Sequence, residues 1–294
     1  MNPGLQGHLA MLLFSGLVAG SFALGSLMAD QVDPTAFNAM RFAVSAVCIF
    51  ALARIMGVWC RAALRAPWRY AVLGGLFGFY FAMMFEGLKT APPVSAAAVF
   101  TLVPVMAAGF AFVLLGQRLT ARMAVALIIG GAGALWVIFR ADVAALLAFD
   151  VGRGEAIYFI GCVAHGLYTP LLRKLNRGEH VVMFTFGTVV GGAVLLGGWS
   201  APEILRTDWL ALPGIVWITL FYVAVFATAG SVLCLQFATL RLPAAKVMAY
   251  TYLIPSWVIV WQIALGRGAP AALVLGGVAL TVLALALLLR DEGS

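Results

Sequence analysis

The sequence predicts an all-α polytopic membrane protein with ten transmembrane helices, arranged as two inverted five-helix repeats. Composition is the first observation behind this prediction: 64% of the 294 residues are hydrophobic and 10% are charged, whereas a soluble domain keeps roughly a quarter of its residues charged. The second observation is a series of apolar segments of about 20 residues, the length that crosses a bilayer. The third is a pair of proline-flanked stretches, in two of those segments, that match each other.

The apolar segments divide evenly around a charged linker. They run at about 8–29, 34–57, 68–88, 93–116 and 121–139, and then at about 155–175, 180–199, 212–239, 244–265 and 270–289. The linker contains Arg140, Asp142, Asp150 and Arg153, so it is predicted to be solvated. We therefore predict a first five-helix repeat over residues 1–140, an outer linker over 141–153 and a second repeat over 154–294.

Positive charge in the loops predicts the orientation of the chain. The first apolar run is longer than a signal-peptide core, so it is predicted to be retained as the first span. With the N-terminus inside, eleven Lys and Arg residues fall on the inner side and five on the outer side, so both termini are predicted to be cytoplasmic. Because five spans is an odd number, the second repeat must enter the membrane inverted. The inner residues are Arg54, Arg61, Arg65, Arg69, Arg118, Arg122, Arg173, Lys174, Arg177, Arg241 and Arg290, and the outer ones are Lys89, Arg140, Arg153, Arg206 and Arg267.

The duplication is clearest in residues 92–104 and 243–255, which align at an offset of 151 positions and begin and end with proline in both copies. Pro104 and Pro255 each remove a backbone donor and clash with the carbonyl four residues earlier, so both helices are predicted to bend. A bend at one register in both repeats predicts a pair of hinges for alternating access. Paired proline-interrupted segments also indicate a transport site.

One face of the sixth apolar segment is polar and aromatic. Its residues recur at helical spacings and include His165, Tyr168 and Thr169. Nothing in lipid satisfies the hydrogen bonds of such a face, so it is predicted to face the bundle interior or a cavity. His165 is predicted either to contact substrate or carry a proton, or else to bridge two helices. The sequence leaves these alternatives open.

Aromatic and methionine side chains on other segments extend the predicted substrate site. The third segment contributes Phe77, Tyr80, Phe81 and Met84, an adaptable set because methionine accepts several shapes. The ninth segment has a second stripe at helical spacing, although such stripes are as often packing as ligand contacts. The predicted substrate-binding residues are Phe77, Tyr80, Met84, Phe100, His165, Tyr168, Thr169, Lys246, Tyr250 and Trp257.

Two other ionisable residues lie at membrane depth, where charge is costly and function is the default hypothesis. Arg41 is about two turns inside the outer end of the second segment. It is predicted either to extend its guanidinium to the interface or to bind a substrate carboxylate, and the first alternative is favoured. Glu86 lies three residues before Lys89, so a helix-surface ion pair is predicted.

The stretch Ala91-Pro-Pro-Val-Ser-Ala-Ala-Ala-Val-Phe-Thr-Leu-Val-Pro104, the turn Leu115-Gly-Gln-Arg-Leu-Thr120 and Arg41 together resemble the drug/metabolite transporter superfamily with paired EamA-type repeats. Within it, the sequence is most similar to YddG-type bacterial exporters of aromatic and other neutral amino acids. The resemblance implies a multi-pass protein of the bacterial inner membrane whose substrate is a neutral, aromatic amino acid. Many members carry Glu before the last helix of each repeat, where this sequence has Gln117 and Arg267, so no role of that Glu is transferred.

These features predict a secondary transporter and not an enzyme. The sequence has no phosphate-binding loop, no His-Glu-x-x-His motif and no metal-ligand spacing among its four cysteines, so no cofactor or metal is expected. The sequence lacks the basic run with interleaved aromatic residues that would indicate nucleic-acid binding, so no nucleic acid is expected as a partner. The protein is expected to lie in the lipid bilayer and to be a monomer. The predicted mechanism is facilitated export by alternating access about a midplane cavity. The alternative is a proton-coupled exporter of other small amphipathic metabolites or drugs.

Overall fold

The computed structural model describes residues 3–148 and 150–289, and all regular structure within these ranges is helical. Short 3₁₀ turns cover Arg61–Leu64 and Trp209–Ala211. The α-helices are α1 Pro3–Met28, α2 Pro34–Ile55, α3 Trp68–Leu88, α4 Pro93–Phe100, α5 Val103–Leu115, α6 Ala121–Ile138, α7 Val143–Ala148, α8 Arg153–Leu175, α9 Val181–Trp199, α10 Ala201–Arg206, α11 Gly214–Ala224, α12 Ser231–Thr239, α13 Ala244–Ala249, α14 Ile254–Ala264 and α15 Ala272–Leu289.

All ten predicted apolar segments are helical. Eight of these segments are long and apolar enough to cross a membrane, by length and composition. The other two are α8, which is more polar, and α15, whose described apolar part is shorter. Three polar residues of α8, Glu155, His165 and Thr169, are buried against the rest of the bundle. The count of ten crossing helices therefore stays a prediction, and Arg290, assigned to the inner side, lies outside the described residues.

The two proline-containing segments are interrupted at equivalent positions. α4 and α5 are separated at Thr101 and Leu102, and Pro104 lies in the first turn of α5. In the second copy a 3₁₀ turn, Tyr250–Leu253, separates α13 from α14, and Pro255 lies in the first turn of α14. Proline is well suited to the first turn of a helix because its missing N–H has no partner to lose there. The predicted bends are thus breaks between half-helices.

A further irregularity lies between α11 and α12, where residues Val225–Gly230 form a π-helix. The wider turn displaces carbonyl groups from their usual partners. Two side chains of α2 use these groups: Ser45 Oγ donates to Ala224 O at 2.7 Å, and Arg41 Nη2 donates to Ala227 O at 3.3 Å. No proline or other sequence signal predicts this element.

The first half of the chain packs closely against the second half. α3 contacts both α8 and α9, α1 contacts α11, α12 and α14, and α6 contacts α15. Glycines allow the closest approach: a Cβ atom at Gly74 of α3 would lie 2.2 Å from the backbone nitrogen of Gly192 in α9. Small residues of this kind let membrane helices gain van der Waals contact without a hydrophobic driving force. The interface between the halves therefore contains the helices that carry the predicted site.

Candidate functional site

An aromatic cluster lies about halfway along α3 and α8 and at the end of α4, and it contains five of the residues predicted from the sequence. The Tyr80 and His165 ring centroids are 4.4 Å apart, and those of Phe100 and His165 are 5.2 Å apart. Phe77 stacks on Tyr168 with a centroid distance of 4.8 Å. All five side chains are buried. The helical spacing on α8 and the stripe on α3 therefore meet at one place.

The imidazole of His165 occupies the centre of this cluster, and the described residues form no hydrogen bond with it. It is 1% exposed, and neither Nδ1 nor Nε2 has a hydrogen-bond partner among residues 3–148 and 150–289. A buried polar group left unsatisfied costs about 1–3 kcal/mol, so native proteins contain few of them. Within the described residues this imidazole is surrounded on several sides by aromatic rings. Packing alone gives no reason to retain it.

A cavity of about 10 Å³ adjoins His165, large enough for roughly one water molecule. Its walls come from both halves of the chain, with α1 and α3–α4 on one side and α8 and α12 on the other. The lining residues are Phe14, Val18, Phe77, Tyr80, Phe81, Phe100, His165 and Ser231. The cluster is thus closed in this conformation, and its members fill most of the space that a substrate would need.

Two hydrogen bonds between the halves lie on the side of the cluster that is predicted to be the outer side of the membrane. The Tyr80 and Tyr158 hydroxyl oxygens are 2.9 Å apart. Closer to the helix ends, Ser95 Oγ donates to Glu155 Oε1 at 2.8 Å, and both residues are buried. Each pair joins a residue of the first half to one of α8. Opening the cluster toward this side requires these bonds to separate.

A larger concavity of about 470 Å³ opens at the end predicted to be cytoplasmic. It lies among the α5–α6 turn, the end of α8 and the start of α13. Three cationic side chains, Arg118, Arg173 and Lys246, line it together with apolar residues of α5. We refer to this concavity as the cationic vestibule. Its positive charge favours entry of ligands that carry a carboxylate.

A buried ion pair joins the two halves of the chain at the end predicted to be cytoplasmic. Arg69 Nη2 lies 2.6 Å from Glu179 Oε1, and the two side chains are 2% and 9% exposed. Arg69 Nη1 also donates to Leu175 O at 2.7 Å, and Arg177 N–H donates to Glu179 Oε2 at 2.6 Å. Partial burial raises the pKa of Glu179, but the hydrogen bonds from Arg69 and Arg177 lower the pKa more, so it lies below its ordinary value. The pair stays ionised at neutral pH.

The remaining predicted site residues lie outside the cluster centre. Thr169 is buried on α8 and donates to His165 O at 3.2 Å, and Met84 is buried on α3 without lining the cavity. Tyr250 is buried with its hydroxyl 3.1 Å from His8 Nδ1 on α1. Lys246 lines the cationic vestibule. Trp257 is 41% exposed on the outside of the bundle, because it lies beyond the 3₁₀ turn Tyr250–Leu253, which rotates the helical stripe, and we leave it out of the proposed site.

Sequence reasoning underestimated Arg41 and omitted three cavity residues. Arg41 does not extend to the interface; it is fully buried and bonded to the π-helical segment. Phe14, Val18 and Ser231 line the cavity but lie in segments that are apolar on all sides, so no periodicity distinguishes them. Only the packing of α1 and α12 against α3 and α8 identifies these positions.

Long apolar helices around a closed, aromatic, histidine-containing site define a polytopic membrane protein of the transporter class. Comparison with known families agrees with that class. The EamA-like transporter family model matches twice, over residues 5–139 and 152–290, and the chain belongs to this family. The two matches also establish that the chain consists of repeated EamA domains.

Individual relatives are transporters as well. The chain is 26% identical over 274 residues to the uncharacterized transporter YyaM of Bacillus subtilis, covering 92% of this chain and 90% of YyaM. It is 37% identical over 133 residues to the aromatic amino acid exporter YddG of Ancylobacter novellus, covering 44% of this chain and 43% of YddG. A solved crystal structure with 22% identity superposes with a TM-score of 0.73 over 99% of each chain, which supports the fold.

Proposed function

We propose that this protein is a secondary transporter that exports aromatic and other neutral amino acids by alternating access about the aromatic cluster. The observation that carries the proposal is His165, a fully buried imidazole with two unpartnered nitrogens at the centre of the bundle. An unsatisfied polar group at membrane depth is costly and is retained where it serves a ligand. In an open conformation, the substrate ammonium donates to the imidazole nitrogen that carries no proton, and water or the substrate carboxylate accepts from the imidazole N–H.

The inverted-repeat arrangement is part of this proposal, and the helix breaks support it. At the 151-position offset, the first residue of α4 at 93 corresponds to 244, where α13 begins. The first residue of α5 at 103 corresponds to 254, where α14 begins. Two half-helix pairs with the same register are what a duplicated unit predicts. We infer that Pro104 and Pro255 mark a hinge in each repeat.

Helix pairing also supports two copies related by inversion. The third segment of the first repeat, α3, packs on α8, the first segment of the second. Exchanging the two repeats turns this pair into α1, the first segment of the first repeat, and α11–α12, the third segment of the second. These two segments are also in contact. Likewise α5 packs on α8, and its counterpart α14 packs on α1. Such exchange is expected when each repeat supplies one wall of a shared site.

The chemistry of the site supports an amino acid with an apolar side chain. Phe77, Tyr80, Phe100 and Tyr168 offer ring faces for stacking, and pairs of aromatic rings contribute about 0.5–1.5 kcal/mol beyond burial. The cationic vestibule attracts the carboxylate at the predicted cytoplasmic end. This direction of entry fits export from the cytoplasm, with both termini on that side of the inner membrane.

Among the residues that the structure describes, no carboxylate lines the cavity beside His165. Proton relays in membranes are chains of Asp, Glu and His side chains. A single histidine without a neighbouring carboxylate does not form such a chain, so we favour facilitated movement down a substrate gradient. Proton coupling through His165 is the alternative mechanism. Export of other small amphipathic metabolites or drugs is the alternative substrate class, because aromatic walls accept many such molecules.

Counterflow in proteoliposomes tests the proposed function. Vesicles loaded with unlabelled phenylalanine are expected to accumulate external labelled phenylalanine transiently, without a pH gradient, at a rate at least tenfold above empty liposomes. Phenylalanine, tryptophan and leucine inside are expected to support exchange, whereas glutamate and lysine are not. No counterflow with any amino acid would contradict the function, and an absolute requirement for a pH gradient would favour the proton-coupled alternative.

A further inference from the structure

Arg41 is a buried cation next to the aromatic cluster, and the described part of the chain provides no anionic partner for it. Its Nε donates to Thr228 Oγ1 at 2.5 Å, and its Nη2 donates to Ala227 O at 3.3 Å. The third guanidinium nitrogen, Nη1, is buried without a hydrogen bond. Among the described residues, none of the Asp or Glu side chains forms an ion pair with Arg41. A buried charge of this kind is strongly unfavourable unless an opposite charge reaches it in some state of the protein.

Arg41 is separated from the cavity by a single aromatic ring. Its guanidinium carbon lies 3.5 Å from the centroid of Phe81, and Phe81 itself lines the cavity. A second connection runs through the π-helical segment, because Ala227 O accepts from Arg41 and also from Ser231 Oγ, another cavity residue. Movement of the Phe81 side chain away from this position therefore exposes the guanidinium of Arg41 to the cavity.

The arrangement matches the binding of a carboxylate. A guanidinium forms charge-assisted hydrogen bonds to carboxylates in a fixed geometry, and Nη1 is the unused donor of Arg41. While the cavity is closed, the ring of Phe81 covers the charge by a cation–π contact, which is worth about twice as much in a site without water as on a surface. An arriving carboxylate replaces this contact with a stronger one.

We propose that Arg41 binds the carboxylate of the transported amino acid when Phe81 moves off its guanidinium, an inference that rests on the proposed function. The substrate then has its side chain among the rings of the cluster and its carboxylate at the junction of α2 with the π-helical segment. Since Arg41 belongs to the first repeat and Thr228 to the second, substrate bound there contacts both halves that must move. The cationic vestibule attracts the carboxylate first, and Arg41 receives it at the centre.

Competition in the counterflow assay tests this role by comparing phenylalanine with phenylalaninamide, which lacks the carboxylate charge. In the wild-type protein phenylalanine is expected to compete about 10- to 100-fold better than phenylalaninamide, the range for one lost charge-assisted hydrogen bond. In Arg41→Gln this ratio is expected to fall to about one. Arg41→Lys keeps the charge and is expected to retain part of the preference.

Thr228→Val is the matched control, because it removes the acceptor of Arg41 Nε and leaves the guanidinium in place. It is expected to keep the preference for phenylalanine over phenylalaninamide. If Thr228→Val and Arg41→Gln lose transport alike with the ratio unchanged, Arg41 only anchors the π-helical segment and the proposal is wrong. Equal competition by the amide in the wild type overturns it without any variant. Absence of wild-type counterflow contradicts the proposed function instead.

Discussion

Replacement of His165 by Leu is expected to stabilise the protein and to abolish most of its transport. The change removes a buried imidazole that makes no hydrogen bond among the described residues, a group whose desolvation costs about 1–3 kcal/mol, and it leaves a side chain of similar volume. The free energy of unfolding in detergent is therefore expected to rise by about 1–3 kcal/mol. Phenylalanine counterflow is expected to fall tenfold or more, because the ligand loses its hydrogen-bond partner.

His180 provides the control for this experiment. It lies in the loop before α9, and its Nδ1 accepts a hydrogen bond from Val182 N–H at the start of that helix. His180→Ala is expected to reduce stability by about 1 kcal/mol, as the loss of a helix cap does, and to leave counterflow unchanged. A His165→Leu protein that transports normally, or one that is less stable than the wild type, would show that His165 is a packing residue.

Glu179→Gln is expected to cause the largest loss of stability among charge-neutralising changes outside the membrane-spanning helices. Breaking a buried ion pair leaves Arg69 without its counter-charge, at a cost of about 3 kcal/mol. The folded-state pKa of Glu179 is depressed, so the stabilisation is present above the unfolded value of about 4.3 and is lost as pH falls through the folded value. Denaturation of the wild-type and Glu179→Gln proteins at pH 7 and below pH 4 measures the difference between their free energies of unfolding. This difference is expected to be smaller in acid.

The exposed pair of Arg206 with Glu203 supplies the comparison. Its side chains are 77% and 45% exposed and 3.4 Å apart. Glu203→Gln is expected to change stability by no more than about 0.5 kcal/mol, in the range measured for surface pairs. If Glu179→Gln and Glu203→Gln lowered the free energy of unfolding equally at pH 7, the ion pair of Arg69 with Glu179 would not hold the halves together.

The parts of the fold set by repeating patterns were predictable from the sequence. Apolar length located every helix that contributes to the bundle, and the family matches confirm the EamA-type relationship inferred from residues 91–104. The cluster around His165 was also predicted in outline, because helical spacing on α8 and α3 places Tyr80, His165 and Tyr168 on inward faces. Polar groups cannot face lipid unsatisfied, so the direction of these faces follows from their composition.

Features that depend on contacts between distant segments were not predictable. The π-helical segment before α12 arises where two halves pack, and its partner Arg41 was assigned to the interface because an isolated helix offers that arginine no other acceptor. The ion pair of Arg69 with Glu179 joins residues that are far apart in the chain. Trp257 shares its stripe with buried residues but lies beyond the 3₁₀ turn, which rotates the helix face.

Substrate protection of a single cysteine tests the central claim most directly. Ser231 lines the cavity beside His165, and Cys60 is exposed in the loop before α3, so a Ser231→Cys protein that retains Cys60 as its only native cysteine carries its own reference. In detergent, where both sides of the protein are accessible, a maleimide is expected to label position 231 slowly, and saturating phenylalanine is expected to slow this labelling several-fold while labelling of Cys60 is unaffected. Labelling at position 231 that is the same with and without each transported amino acid would contradict a substrate site at the aromatic cluster.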